Sequence, residues 1–306
     1  MTKELTQPYF SIIVATYNRA SFLPACIESV INQTYGHWEL IIIDDGSTDE
    51  TKEVVTKYTD GRLIYQYQNN GERSNARNNG IRISSGDYCF FLDSDDWYLP
   101  NHLKVHADAI SESSHPLGLT HSWYKNKINA EFKILPFPEI DQKNFKLDTA
   151  NFPLLPCICF HKKILDEFKF DENLSMGEDT ELFLRIISKF PYRLINEITF
   201  VYNHHEDNSI YDYSTSYLHK LEASWTLIYK NHKNHYGTDF FKLKFSNIYS
   251  GLADKYSKQG SRIKALKYLL KAVLQTPKLI ATRLFLGIIR NCIFIAPNSK
   301  NVIHTF

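Results

Sequence analysis

The sequence predicts an open α/β sheet built from β-α-β units over its first half, followed by an all-helical C-terminal region. From Phe10 onward, short apolar and β-branched runs alternate with stretches of helical spacing, the pattern of a sheet assembled from β-α-β units. The run Tyr88-Cys89-Phe90-Phe91-Leu92 is apolar throughout, as expected of a strand covered on both faces. From Ser214 onward only helical spacing is left.

Phe10 to Ala15 reads as a buried strand. Ser21 is expected to cap a helix running to about Gln33, with Pro24 tolerated in its first turn. Glu39 to Asp44 is the second strand. After Gly46-Ser47-Thr48-Asp49, whose side chains can take up orphan amides of a helix start, Glu50 to Tyr58 is helical. Leu63 to Gln68 forms the third strand, and the polar turn Asn69-Asn70-Gly71 leads into a helix ending near Ile83. Gly86 releases the chain into the strand Tyr88 to Leu92, so Asp93, Asp95 and Asp96 emerge at its carboxyl end, where open α/β sheets bind ligands.

Asn101 to Glu112 reads as helix and Leu117 to Trp123 as strand. Lys125 to Phe152 loses periodicity and gains prolines, and is expected to form loops shaping a substrate cleft. Glu178 to Lys189 regains helical spacing, with Leu182, Phe183, Ile186 and Ile187 on one stripe, and Ile198 to Asn203 is a strand. Tyr256, Gly260, Ala265, Ala272 and Pro277 fit one tetratricopeptide-like helical hairpin, which serves packing because one copy cannot form a solenoid. Leu279 to Ile295 is strongly apolar, but Arg283 and Arg290 lie seven apart on one helical face. A spanning helix would bury both charges, so the segment either lies on a bilayer surface or docks on its own domain.

Bulk composition narrows the functional classes. The 306 residues suffice for a large domain with an appendage, and 43% hydrophobic with 23% charged residues points to neither disorder nor a membrane bundle. The 35 Lys+Arg against 34 Asp+Glu leave no global field for a polyanion, so nucleic acid is not expected as a partner. Five cysteines without a C-x-x-C pair give neither a disulfide framework nor a zinc site, and Cys157 and Cys159 are too close to bridge. With a polar N-terminus instead of an apolar signal, a cytoplasmic location is expected. Neither G-x-G-x-x-G nor G-x-x-x-x-G-K occurs, which sets aside nicotinamide dehydrogenases and P-loop enzymes. Thr16-Tyr17-Asn18-Arg19 lacks the glycine and basic residues with which a nucleotidyltransferase would hold a triphosphate.

Clustered carboxylates in the turn Asp93-Ser94-Asp95-Asp96 repel one another unless a cation or donor compensates, and oxygen ligands suit Mg2+ or Mn2+. The turn closes an ordered series: Ser11-Ile12-Ile13-Val14-Ala15-Thr16-Tyr17-Asn18-Arg19, Ile41-Ile42-Ile43-Asp44-Asp45-Gly46-Ser47-Thr48-Asp49, Ala76-Arg77-Asn78-Asn79-Gly80-Ile81 and Phe91-Leu92-Asp93-Ser94-Asp95-Asp96. A fifth match is Gly177-Glu178-Asp179. This series resembles the family 2 glycosyltransferases, inverting enzymes with a GT-A type open mixed sheet flanked by helices.

The resemblance implies a nucleotide-sugar donor, a divalent metal and a glycan or lipid-linked acceptor. Thr16 and Tyr17, with Asn18 and Arg19 after them, match positions at the nucleobase and ribose. The pair Asp44-Asp45 matches the acidic position that accepts a hydrogen bond from the base and would favour uridine, either residue serving. Asp49 better suits a turn or helix cap. Arg77 matches an arginine near the diphosphate; just before it, Gly71-Glu72-Arg73 departs from relatives with a further glycine. Asp93, with Ser94, is implied at the nucleotide sugar and Asp95 at the metal, while Asp96 supports the turn. Asp179 matches the general base. His204-His205-Glu206-Asp207-Asn208-Ser209-Ile210 resembles a late histidine segment, in which His205 is preferred at the metal.

The implied domains are 1–212, with a donor half of about 8–123 and an acceptor half of about 124–212, and a helical region 213–306 that could meet the inner face of the cell membrane. The competing expectation is a non-catalytic module of the same fold that binds carbohydrate or nucleotide sugar.

Overall fold

The computed structural model describes residues 7–113, 117–128, 131–134, 154–206, 214–236 and 238–294. They fall into two compact units, one reaching Glu206 and one holding the helices that follow. In the first unit, β1 (Phe10–Thr16) and β2 (Trp38–Asp44) form the heart of a sheet, and every residue of β2 is buried. β3 (Leu63–Tyr67) pairs with β2, and β4 (Tyr88–Phe91) pairs with β1, all in parallel. Helices α1 (Leu23–Ile31), α2 (Thr51–Val55) and α3 (Glu72–Ile83) make the crossovers.

The chain steps outward from β1 through β2 to β3 and then returns to the other side of β1 for β4. That reversal opens a crevice at the carboxyl ends of β1 and β4. Gly80 makes the return possible, because a Cβ there would collide with Ile13 of β1. α3 can therefore lie close against the sheet.

In this half of the sheet, two helix limits differ from expectation. Ser21 does not cap α1: the amides of Phe22 and Leu23 both bond to the Arg19 carbonyl, 3.0 and 3.2 Å, so a backbone turn takes up the groups a serine hydroxyl would have met. α2 ends at Val55, short of Tyr58, because Lys57 and Tyr58 tighten onto Val54 and Val55 in three-residue turns.

The second half of the sheet adds β5 (Trp97–Tyr98), β6 (Leu119–Ile128), β7 (Glu131–Ile134), β8 (Ile158–His161) and β9 (Tyr192–His204). The order is β3-β2-β1-β4-β8-β6-β9-β5, with β7 paired to β6; β8 runs antiparallel to β4 and β6, while β9 runs parallel to β6. This is the open mixed sheet that was expected. Helices α4 (His102–Ser111), α5 (Lys162–Glu167) and α6 (Glu178–Ile186) accompany it.

The sequence reading misses β5, β8 and α5. It also takes Lys125 onward as loop, whereas β6 continues to Ile128 and turns back as β7. The outer half of β6 is only partly buried and polar, so it shows no apolar alternation. The remainder of that expected loop region, 129–130 and 135–152, lies outside the described residues. α6 is three residues shorter than expected, while β9 runs well beyond Ile198 to Asn203.

The second unit contains α7 (Thr215–Tyr236), α8 (Thr238–Lys258), α9 (Arg262–Gln275) and α10 (Arg283–Phe294), with a 3-10 turn at Pro277–Ala281. Gly260, at φ +77°, turns α8 back onto α9, and Ala265 and Ala272 are fully buried there, as the hairpin spacing predicts. No helix among the described residues is long and apolar enough to cross a membrane. All five cysteines are free and buried.

Three histidines lie within the sheet's core. His102 Nδ1 meets Thr199 Oγ1 at 2.7 Å and His106 Nδ1 meets Thr120 Oγ1 at 2.6 Å. The Nε2 atoms of His102, His106 and His121 are buried without a hydrogen-bond partner among the described residues. Burial pushes the His106 and His121 imidazoles down to about 3. The folded protein therefore keeps them neutral while the unfolded chain protonates them near pH 6.5. Their contribution to stability is present above that pH and is lost as pH falls toward 3. From pH 7 to 5 each costs about 2 kcal/mol. Urea unfolding of His106→Asn at the two pH values should show a loss smaller than wild type by about that amount, a difference that separates this histidine from carboxylates titrating nearby.

Candidate active site

The parallel register sets the floor of the crevice. Ile13 of β1 is aligned with Phe91, and the Leu92 amide bonds to the Ile13 carbonyl at 3.0 Å. The turn Asp93-Ser94-Asp95-Asp96 therefore emerges beside Thr16 and Tyr17. The Asp45 amide bonds to the Thr16 carbonyl at 2.8 Å, bringing the β2 turn to the same edge.

Helical spacing places Arg77 one turn from Ile81 on the face of α3 that the sheet covers, and both are buried. The guanidinium lies between two acids, with Nη1 donating to Glu178 Oε1 at 2.8 Å and Nη2 donating to Asp93 Oδ1 at 2.9 Å. Burial by itself would lower its pKa; Asp93, Glu178 and Asp179 outweigh that and raise it. Arg73, one turn earlier, approaches Glu178 at 3.9 Å.

Asparagines of α3 deliver the opposite wall. Asn78 exchanges hydrogen bonds with the backbone of Phe170, 3.0 Å each way, and Glu172 accepts from Asn75 at 3.1 Å and Asn78 at 2.8 Å. Gly177, at φ +73°, then turns the chain into α6, whose first residues are Glu178 and Asp179. Asp179 is partly exposed. Burial and the neighbouring Glu178 raise its carboxyl above the ordinary range, against the pull of Arg77.

The β2 turn is tightly bonded. Asp44 accepts from the Ser47 amide at 2.8 Å and the Tyr65 hydroxyl at 2.6 Å; Asp45 accepts from Gln68 at 2.7 Å and the Gly71 amide at 2.8 Å. Both are nearly inaccessible. Asn18, in a left-handed conformation at φ +52°, accepts from the Thr48 amide at 2.8 Å and donates its own amide to Ser47 Oγ at 2.9 Å. It joins the loops after β1 and β2. Arg19 lies 5.6 Å from the Phe22 ring, and Tyr17 is exposed. Asp49, expected in a turn or helix cap, fastens the turn just before α2 by accepting from the Thr51 and Ala20 amides.

The acidic turn divides its labour. Asp96 is buried, and its Oδ1 accepts from the Asn203 amide at 2.7 Å; Asn203 in turn donates through Nδ2 to the Asp95 carbonyl at 3.1 Å. Burial, with Asp93 and Asp95 beside it, pushes the Asp96 carboxyl far up. This staple ties the turn to the end of β9 and sets His205 Nε2 3.0 Å from Asp95 Oδ2. His204 instead meets Asn126 at 2.8 Å. Asp207 to Ile210 lie outside the described residues. Ser94 is buried within the turn.

A carboxylate oxygen and an imidazole nitrogen converging at the strand end fit a Mn2+ or Mg2+ ion completed by phosphate and water oxygens. Among the described residues no group of three or more such side chains is placed to hold a metal, so the protein would supply only part of the shell.

Residues 11–172, more than half of the chain, match Glycosyl transferase family 2. The chain belongs to this family. This family 2 glycosyltransferase is 32% identical over 206 residues to an uncharacterized glycosyltransferase of Rickettsia typhi, covering 62% of this chain and 63% of that protein. It is also 32% identical over 216 residues to the minor teichoic acid biosynthesis protein GgaB of Bacillus subtilis, covering 65% of this chain and 23% of that one. The chain thus spans less than two thirds of the length of these relatives.

Two solved structures share its architecture. Staphylococcus aureus TarS 1–349 in complex with UDP-GlcNAc matches with a TM-score of 0.57 at 16% identity, over 87% of this chain and 89% of that one. The mannosyltransferase PcManGT of Pyrobaculum calidifontis, in complex with GDP-Man and Mn2+, matches with a TM-score of 0.55 at 16% identity, over 96% and 88%. At these identities the likeness speaks to the fold, which is of GT-A type.

The structure thus brings together Thr16, Asp44 and Asp45 at one edge, and Arg77, Asp93, Glu178 and Asp179 at the other, with Asp95 meeting His205. Sequence reasoning missed the fastening roles of Asn75, Asn78 and Asn203; the run of asparagines in α3 could have signalled the first two, and nothing in the sequence signals Asn203. It noticed that Glu72 departs from a glycine pattern, and Glu72 indeed sits at φ +69°. Glu72→Gly relieves this conformation and should raise stability by about 0.5–1 kcal/mol in urea unfolding. Arg77→Met takes from the buried Glu178 carboxylate its hydrogen-bonded cation, leaving only the exposed Arg73 at 3.9 Å, and should cost about 3–5 kcal/mol, largely recovered in Arg77→Met/Glu178→Leu.

Proposed function

We propose that this protein is an inverting, metal-dependent glycosyltransferase that moves a sugar from a UDP-sugar to a hydroxyl of a glycan or lipid-linked acceptor. The observation that carries this reading is the Arg77 guanidinium bonded to Asp93 on the donor side and Glu178 on the acceptor side, with Asp179 next in the chain. The UDP-GlcNAc named with TarS supports the donor, and the teichoic acid biosynthesis named with GgaB supports a setting in surface polysaccharide assembly, which we place in the cytoplasm at the inner face of the cell membrane.

In this reading Thr16, Tyr17, Asn18 and Arg19 line the nucleoside end, where the exposed Tyr17 ring can stack on a base. One of Asp44 and Asp45 accepts a hydrogen bond from the uracil N3–H. Asp93 and Ser94 meet the sugar diphosphate. Asp95 and His205 would hold the cation, which when bound offsets charge developing on the departing diphosphate. Arg77 is buried with two of its nitrogens committed to carboxylates, so it orients Asp93 and Glu178 and lends positive potential to the diphosphate from beneath.

Asp179 accepts the proton of the acceptor hydroxyl as that oxygen attacks the anomeric carbon and the diphosphate leaves from the opposite face. Its raised pKa makes it a better base than an ordinary carboxylate. The ionised form is the active one, so activity should rise with pH through a midpoint above the ordinary carboxylate value of about 4.

Nucleoside diphosphate release with Mn2+ and a panel of UDP-, GDP- and TDP-sugars tests the reading. UDP-sugars should turn over fastest. Asp179→Asn should lower kcat by about 10²–10⁴ with donor binding kept, and Asp95→Ala should abolish the Mn2+ dependence. Full turnover in Asp179→Asn would remove Asp179 from the role of base.

A further inference from the structure

We infer that the outer face of α9 is a docking surface for an anionic lipid bilayer. α9 buries Ala265, Leu269 and Ala272 within its own unit and turns Ile263, Leu266, Leu270 and Leu274 outward, with exposures of 86, 45, 61 and 71%. Their spacing of three, four and four residues places them on one helical stripe. In the segment that follows, Ile280, Leu284 and Leu286 are also exposed. Such a row of large aliphatic side chains in water calls for a covering surface.

Charge identifies the occupant. From Lys255 to Phe306 the sequence has ten Lys and Arg and no Asp or Glu, although the whole chain balances 35 against 34. The preceding residues therefore carry 25 cations against 34 acids, and the near-zero net charge conceals a strongly polarised chain. Lys264, Lys267, Lys278, Arg283 and Arg290 are exposed on or just after the apolar row. Nearby acids are already engaged, Glu222 of α7 with Lys271 at 3.1 Å and Asp254 of α8 with Lys258 at 2.7 Å.

A second copy of the chain would set this cationic row against itself. Nucleic acid would answer the lysines but leave the leucines wet. Lipid phosphates with the acyl boundary beneath answer both, the lysine stems lying along the apolar face while their ammonium groups reach the headgroups.

The sequence left Leu279 to Ile295 either on a bilayer surface or docked on its own domain. α10, which begins at Arg283, commits Ile288 and Cys292 to its own unit, and the outward row begins one helix earlier. The inference deepens the membrane setting proposed above, but it rests on this surface alone and on no donor chemistry.

Co-sedimentation of the full chain with phosphatidylcholine vesicles, with or without about 30% phosphatidylglycerol, tests it. About tenfold more protein should pellet with the anionic vesicles, and about 0.5 M NaCl should erase the difference. Leu266→Glu/Leu270→Glu should release the protein, and Lys264→Gln/Lys267→Gln/Lys278→Gln should remove the preference for anionic lipid. Where a charged pair disturbs α9, Leu270→Cys carrying a polarity-sensitive dye reads the contact as a blue shift on vesicles. Three results overturn the inference: wild-type protein that stays in the supernatant with both vesicles, binding that neither variant weakens, or a dimer in sedimentation velocity that Leu266→Glu/Leu270→Glu dissolves. UDP release by the same variants without vesicles should match wild type, so failure here and failure of the transferase reading are told apart.

Discussion

The Arg77 guanidinium is the constraint on which the site depends. A buried cation is tolerated only if its desolvation is offset, and here Asp93 and Glu178 each supply a charge-assisted hydrogen bond of 2.9 and 2.8 Å. Those two acids come from segments 85 residues apart, one ending a parallel strand and the other opening a helix. Once Arg77 is buried, both must come to it. Gly80 lets α3 lie close enough to β1 for this to happen, and the Asn75 and Asn78 amides hold the segment that leads to Glu178.

The same arrangement leaves the crevice rich in negative charge. Asp93, Asp95, Glu178 and Asp179 outnumber the single arginine that the structure buries among them. An acidic surplus at the carboxyl end of parallel strands suits a divalent cation and disfavours an unaccompanied anion, so a diphosphate would enter most readily with a metal. Asp96 stands apart from this. Its deep burial and its bond to the Asn203 amide give it a fastening role, and through β9 it brings His205 to Asp95.

The helical unit follows different physics. Its interior is held by small residues such as Ala265 and Ala272 at the α8 and α9 contact and by large rings such as Phe240 and Phe241. Its charges are segregated along the chain instead of being interspersed, and the long lysine stems share helix faces with leucines. Stability is set by the inner face, leaving the outer face for contact with something else.

The sequence by itself determined the parallel half of the sheet, because β1, β2 and β4 are buried and read as apolar runs whatever their partners, while the part-exposed edge strand β3 is legible from its β-branched and aromatic residues. It also determined that three of the motifs fall at the ends of β1, β2 and β4, since each of those turns directly follows such a run. The other half was legible only in part: the buried start of β6 and the end of β9 read as strands, but β8 is four residues long, and the polar outer half of β6 is stabilised by pairing instead of by side-chain burial. Only the tertiary structure decided that Arg77 serves two carboxylates, that Asp96 supports the turn by taking the Asn203 amide of β9, and that the exposed apolar row lies on α9. Periodicity reports how a residue faces its own element. Which groups meet across about a hundred residues of chain depends on long-range packing, for which local patterns carry no signal.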